Sequence, residues 1–593
     1  MKKWIAICLA LLMLLPLTAC GKRAEKQKLA AWEAQYNLGI RYLSEGNYEE
    51  ARLAFESAIE IEPKKGEAYI GIAEAYIALG QPEKAQAILE AGLAQAEEPI
   101  NIQLLLDEII ATYLSFDPED FDVSGTCGED AYWGFHEDTG ELVIWGSGKM
   151  DEYKCDIIPG KGLTPWYELD IQTATVRGVT TIGDWAFGGF ENLSNVSIGG
   201  NVTTIGECAF SSCKNLTEIN IPDSVITIEG SAFCWCDGLT EIYIPSSVTT
   251  IKDFVFGGCS NLKTVTLTNG VTSIGDEAFY NCISLIEITI PDSVISIGDL
   301  TFLGCRSLIK VDMGSGVTSI GNRVFYDCVS LTGFSANSPG YCDVDGVLFT
   351  KDMKTLVWYP SAKEQTFYAI PDGVTTIGYE AFSNNSNLIE IVIPDSVTSI
   401  ENSAFFICSN LRKVTLPNSV TSIGDSAFSE CGHLTTVTIP NSVTSIGEGA
   451  FRQCSSLTDI YIDNAAYCSV DGVLFTKDMK TLLQYPNGKQ QASYNIPAGV
   501  SEIADNAFWC CSNLKEITIP NSITTIGNSA FMGCLNLEAV SMGYGVSVIK
   551  YAAFYGCSNI TTMLYSGTKA QWDAIEIGVE NECLTASSIQ YTD

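Results

Sequence analysis

The stretch LTEINIPDSVITIEGSAFCWC at 216–236 decides the fold. Leu216, Ile219 and Ile221 keep an L-x-x-L-x-L spacing, which sets a short strand with alternate residues inward. Pro222 has no backbone donor and ends that strand. Val225 and Ile228 make a second apolar segment, and Gly230, Ala232 and Phe233 then pack an outer turn or short helix. The Phe recurs at 187, 210, 233, 256, 279, 302, 325, 382, 405, 428, 451, 508, 531 and 554. Eleven of the thirteen steps are 23 residues and the other two are 57, so each long step holds one extended unit. One period kept through fourteen copies means a solenoid, whose coils bury their apolar edges only against their neighbours.

Units such as IPNSVTSIGEGAFRQCSSL (439–457) resemble the 23-residue leucine-rich repeats of the BspA-like family of bacterial surface proteins, over residues 176–563. A Ser (224, 247, 293, 396, 419, 442 and 522) stands where leucine-rich repeats usually carry Asn or Cys; its hydroxyl can still bond loop backbone. The extended units carry YCDVDGVLFTKDMKTLVWYP (341–360) and YCSVDGVLFTKDMKTLLQYP (467–486), which differ at three positions. Each reads as two strands around a Lys-Asp-Met-Lys turn. Asp343-x-Asp345-Gly346 has the start of a calcium loop but lacks the spacing to a Glu, so the hairpin reading is kept.

Ahead of the coils, residues 32–116 have a helical period. Leu38-Gly39, Tyr42, Gly46, Tyr48, Ala51, Phe55, Ala58 and Pro63, and 34 residues on Ile72-Ala73, Tyr76, Gly80, Pro82, Ala85, Leu89 and Gly92, resemble two tetratricopeptide repeats. Residues 101–115 read as a capping helix. The fold class expected is therefore a repeat solenoid: an α-helical tetratricopeptide pair, then a mainly β leucine-rich repeat solenoid of about 14 coils. Residues 117–175 carry a hairpin, Tyr132–Phe135 and Leu142–Trp145 around Asp138-Thr139-Gly140, that caps the first coil. Residues 564–593 form the other cap, with a short helix in 564–578 and a strand at Thr585–Tyr591.

The chain starts Met1-Lys2-Lys3 and runs without charge from Trp4 to Ala19. That run is short for a membrane span and fits a secretory signal over 1–19. Leu17-Thr18-Ala19-Cys20-Gly21 resembles a lipobox, which implies lipidation of Cys20 and a basic tether at 20–31. The expected location is the extracellular face of a bacterial membrane, held by the N-terminal lipid only.

Acids outnumber bases 71 to 33, for a formal charge of -38, which argues against nucleic acid as a partner. Two histidines leave little room for a histidine-based triad or zinc site, so no cofactor and no metal are expected. Twelve of the 22 cysteines sit three residues after the repeat Phe and read as small buried thiols rather than a disulfide framework. Glu218 and Glu241 hold equivalent places in successive coils, about 5 Å apart as in a retaining glycosidase. Any in-register ladder gives that spacing, so it says nothing about catalysis, and a non-enzymatic protein is expected.

Strand alternation sends the residues two and four after each strand's Leu outward. The ligand-binding face expected there includes Glu218, Glu241, Tyr243, Glu287, Lys310, Asp312, Glu390, Lys413, Asp459, Tyr461 and Glu516. Its acids favour basic patches, amines or bridging calcium, and its tyrosines can stack on sugars or side chains. The family resemblance implies adhesion and binding of host matrix proteins. The expected partners are extracellular proteins or glycans, with the tetratricopeptide pair docking a peptide or a neighbouring envelope protein. A purely structural envelope scaffold is the alternative.

Overall fold

The structure is a computed structural model that describes residues 21–79, 81–97, 99–113, 118–154, 164–586 and 589–592. The signal segment 1–19, Cys20, Gly80 and the end of the expected capping helix, 114–115, lie outside the described residues. No helix among the described residues is long and apolar enough to cross a membrane. The chain divides into two compact units, one holding residues 1–186 with 192–209 and 219–227, the other the remainder.

The first unit opens with helices α1 (Gly21–Ser44), α2 (Tyr48–Ile61), α3 (Glu67–Ala78), α4 (Pro82–Leu93) and α5 (Ile100–Tyr113). Phe55 on α2 is fully buried, and its ring lies on the backbones of Gly39 and Gly71. A Cβ on either glycine would fall 2.6 or 2.4 Å from that ring. Small residues here let the helices close. A second core joins Tyr69, Leu89, Ile102 and Ile109, so α5 packs on α3 and α4.

Strands β1 (Val123–Gly128), β2 (Ala131–His136) and β3 (Glu141–Gly146) form an antiparallel meander, one strand more than the hairpin expected. β3 then pairs in parallel with β4 (Thr173–Val176), the first coil's strand, so the meander caps that edge. At the other end, in the second unit, Ile589–Tyr591 pairs with Thr562–Tyr565 and Glu576–Ile577 with Val548–Ile549. The final strand is shorter than expected because Glu582–Ala586 is helical.

The solenoid makes about 18 turns. Fourteen carry the repeat Phe, two carry Tyr359 or Tyr485 in its place, and two end coils carry neither. In most coils a strand of the Glu241–Ile244 type and a two-residue strand of the Thr250–Ile251 type pair in parallel with their counterparts 23 residues on. Leu216, Val225 and Ile228 are completely buried, and Ile219 and Ile221 nearly so.

The outer turn is neither a simple loop nor a helix. In coil after coil the residues two before and two after the Phe are left-handed: Ser231 and Trp235 (φ 57 and 59°), Glu277 and Asn281 (55 and 52°). Most are not glycine, at a cost of roughly 1 kcal/mol each. Hydrogen bonds to the next coil offset that cost. Ser231, Phe233 and Trp235 donate their N–H groups to the carbonyls of Asp253, Val255 and Gly257 at 3.0, 2.9 and 2.8 Å.

The cysteine that stands three after twelve of the fourteen Phe residues tightens the same turn. It is a free, buried thiol that donates to the carbonyl of the previous coil's Phe: Cys259 to Phe233 at 3.1 Å, Cys305 to Phe279 at 3.2 Å, Cys454 to Phe428 at 3.0 Å. The thiol is thus a hydrogen-bond donor as well as a small apolar group. Beside it the Phe rings stack nearly parallel, with centroids 5.3 Å apart at Phe210–Phe233 and 4.7 Å at Phe508–Phe531. Of the repeat serines, Ser293 and Ser442 donate to the carbonyls of Val271 and Val420 at 2.5 and 2.6 Å, whereas the buried Ser419 hydroxyl has no partner among the described residues.

Each extended unit is a three-stranded meander where two strands were expected. Tyr341–Val344 turns at Asp345-Gly346 into Val347–Thr350, and Lys351–Lys354 then leads to Thr355–Trp358. Asp343 accepts the N–H groups of Ala336 and Gly346 at 2.8 and 3.3 Å, which gives the Asp-x-Asp-Gly stretch a turn-forming role. The last strand joins the short-strand ladder through Thr376–Ile377, and the 467–486 unit repeats the arrangement.

Two tests follow from these contacts. Phe279→Ala or Phe428→Ala should destabilise its own and the adjacent coils by about 3–5 kcal/mol, and hydrogen exchange should show faster exchange confined to them. Uniform loosening of every coil would contradict nearest-neighbour packing. Burial pushes the Cys305 thiol up from 9.0 to about 12 and Cys282 and Cys328 well above 9.0. Since the thiolate is the reactive form, folded protein at pH 8 should be alkylated at half-buried Cys342, Cys468 and Cys510 before any of these. Above pH 9 an unfolded thiol loses the proton that folded Cys305 keeps, so stability should fall as pH climbs from 9 towards 12. Equal labelling rates, or stability flat across that range, would refute the account.

Candidate binding faces

The residues expected on the strand face do point outward, but they are not equivalent. Glu218, Glu241, Glu287 and Glu516 are exposed and carry no ion pair among the described residues. Tyr243 and Tyr461 are 52% and 49% exposed, an unusual state for large aromatic side chains on a strand.

Three of the acids are engaged within the chain. Glu390 is half-buried and pairs with Lys413 across the register at 3.0 Å. Asp312 pairs with Lys310 at 2.5 Å. Asp459 is half-buried beneath the second meander, whose Gly472 packs on it, and the buried Lys489 reaches it at 3.5 Å. Glu390 and Asp459 therefore drop out of the free face. A close lysine one coil away flags Glu390 in the sequence; the long-range return of Lys489 leaves no local signal. With both lysines paired, the free charges on the face are carboxylates.

The face is also discontinuous. Glu241 lies beside Thr264, Glu287 beside Lys310, Thr436 beside Asp459 and Ser493 beside Glu516, but the meanders interrupt the order of strands after Ala336 and after Tyr461. Glu218, Glu241 and Glu287 themselves stand on three separate sheets, and Glu516 on a further one beyond both meanders.

Among the described residues, two clefts lie on the other ladder, where two-residue strands give the sequence no alternation to read. One cleft of about 350 Å³ follows Thr250, Ser273 and Ser296 across three coils, with Asp253 and Asp276 at its edge. Its polar groups serve the coils themselves: Asp253 accepts the Asp276 N–H at 2.9 Å, Asp276 accepts that of Asp299 at 2.7 Å, and Ser273 donates to Thr250 at 3.2 Å. A second cleft of the same size lies at the 467–486 unit.

Comparison with known proteins agrees with this architecture. The model of the BspA type leucine rich repeat region matches residues 166–256, 226–341, 362–481 and 485–575, together more than half the chain. The chain belongs to the BspA-type leucine-rich repeat family. Residues 42–109 match the tetratricopeptide repeat model. Among solved structures it is similar to a leucine rich cell surface protein from Faecalibacterium prausnitzii, at 26% identity and TM-score 0.39, covering 77% of this chain and 98% of that one. A leucine-rich repeat protein from Eubacterium ventriosum aligns at 24% identity and TM-score 0.36, over 79% and 95% of the two chains. One from Bacteroides ovatus aligns at 21% and 0.38, over 80% and 100%. The curated proteins give no match.

If the free face is as described, Glu390→Gln should release Lys413 and change the surface charge without loosening its coil, because exposed pairs contribute about 0–1 kcal/mol. Asp459→Asn should loosen the second meander, seen as faster amide exchange at 467–476. Equal responses of the two variants would contradict the distinction drawn here.

Proposed function

We propose that this protein is a non-enzymatic surface protein that binds extracellular proteins or glycans through the outward side of its long-strand ladder. The observation that carries the reading is the set of exposed, unpaired carboxylates at Glu218, Glu241 and Glu287, with Tyr243 among them, on strands that recur every 23 residues. Rigid display lowers the ordering cost of binding, and repeated weak contacts add through avidity. The partner surface is basic, since both lysines of the face, Lys310 and Lys413, are paired and the chain carries -38. Glu516 and Tyr461 extend the site on separate stretches of ladder. The tetratricopeptide pair serves as a spacer and docking point for a peptide or neighbouring envelope protein, and lipid on Cys20 anchors the whole to the membrane. Family membership supports the binding role in general terms.

Reversing Glu218, Glu241 and Glu287 to Lys should weaken capture of matrix proteins and whole bacteria in a pulldown, with the thermal unfolding midpoint nearly unchanged. Added salt should weaken the wild type likewise. Binding that survives both treatments would move the site elsewhere. Deleting a whole meander is a poor control, because Thr355–Trp358 and Thr481–Gln484 are ladder strands; replacing the exposed Lys351-Asp352 and Lys477-Asp478 turns tests the meanders instead. Cys20→Ala should release the protein into the medium or leave an uncleaved precursor, and normal retention of that variant would end the anchoring proposal.

A further inference from the structure

The two extended units, offset by 126 residues (341 to 467), are near copies, yet they close their coils differently. At the first, Trp358 is buried with its ring edge-on to Phe325 at 6.0 Å. Beside it Arg323 bonds Glu380, a carboxylate only 1% exposed, at 2.8 Å. An indole and a guanidinium fill that seam.

At the second, those two positions are vacated, and a guanidinium meets an indole elsewhere instead, Arg452 lying 4.8 Å from the Trp509 ring. Gln484 stands in place of Trp358, Gly449 in place of Arg323 and Asn506 in place of Glu380. The frame around them is retained: Tyr467–Val470, Val473–Thr476 and Thr481–Gln484 pair as their counterparts do, and Tyr467 accepts the Ile446 N–H as Tyr341 accepts that of Ile320, at 3.1 and 3.0 Å. Removing large side chains from a kept frame leaves space rather than collapse. The space is the cleft of about 350 Å³ lined by Gly449, Phe451, Leu474, Leu483 and Gln484. That lies within the ~300–1,000 Å³ of small-ligand sites.

The rim has changed in the same direction. Glu448, Glu502 and Asp505 replace Asn322, Thr376 and Tyr379. Lys550 reaches Asp505 at 3.8 Å, and Asp505 is further held by the Asn528 N–H at 2.7 Å. Glu448 and Glu502 carry no ion pair among the described residues; Glu448 accepts one hydrogen bond, from the Asn506 amide at 2.5 Å, which leaves its charge uncompensated. An apolar floor that has lost a ring thus lies under a rim that has gained negative charge.

We propose that this cleft binds a ligand presenting an aromatic ring with an attached cation, the ring on Phe451, Leu474 and Leu483 and the cation towards Glu448 and Glu502. The site is independent of the strand face, so either assignment can fail alone.

The test is calorimetric titration of the full chain with tryptamine. One tryptamine should bind per chain, and indole-3-acetate, with the same ring and opposite charge, should bind at least about tenfold more weakly. Gln484→Trp combined with Gly449→Arg should abolish binding; the backbone allows it, since Arg323 already adopts φ 53° where Gly449 has 58°. Glu502→Gln, on a half-exposed side chain, should weaken binding about fivefold, the loss of one exposed charge contact. Methyl resonances of Leu474 and Leu483 should shift on binding, which keeps the test decisive if the double variant misfolds. The triple reversal at Glu218, Glu241 and Glu287 should leave tryptamine binding intact. A Trp-Lys peptide amide binding more tightly than tryptamine identifies a partner's side chains as the source, and the reverse identifies a free amine. No binding of tryptamine, equal binding by the double variant, or binding without a shift at Leu474 and Leu483 would overturn the proposal.

Discussion

The turn around the repeat Phe is the constraint on which the rest of the solenoid depends. Its left-handed residues, such as Leu300 (φ 57°) and Ile407 (φ 58°), are unfavourable alone and persist because they aim N–H groups at the next coil. Leu300 donates to Asn322 at 2.9 Å and Ile407 to Ser429 at 3.0 Å. The thiol then bonds backwards to the previous Phe carbonyl, and the ring stacks in both directions. Each coil is therefore held from both sides at one corner, which fixes the register of both ladders.

Register is what turns a repeat into a surface. Because Ile242 faces Val265 and Tyr243 faces Thr266, each outward residue has a fixed neighbour one coil away. Lysines placed there silence acids, as Lys413 does Glu390, while a threonine beside Glu241 leaves its charge unpaired. Function on such a scaffold is written by substitution at outward positions, with the inward ones held constant.

Much of this was legible beforehand because it is periodic. Leu216, Ile219, Ile221, Val225 and Ile228 announce their burial by spacing, and the Ala-Phe pair announces the corner. The left-handed backbone was not legible, because Ser, Glu, Leu and Asn occupy it where glycine would have marked it. Nor was the donor role of Cys305, since a small buried thiol reads the same with or without a hydrogen bond. The half-burial of Asp459 is not legible because its cover arrives from Lys489 and the folded-over meander, beyond any local pattern. The second cleft is legible only by comparing the two extended units, where three differences in twenty positions include Trp358 and Gln484.

Those units also divide the stack of rings. Phe382, Phe405, Phe428 and Phe451 form one run and Tyr485, Phe508, Phe531 and Phe554 another, and the buried apolar residues separate into two clusters at the same place. If the corner stack holds the coils together, cohesion is weakest where it breaks and Gln484 replaces an aromatic ring. Hydrogen exchange followed in rising urea measures this directly. The account predicts that amides of 493–565 open as a block at a different urea concentration from those of 367–462, with the boundary inside 463–486. A single transition shared by both blocks, or a boundary within either run of stacked rings, would contradict it.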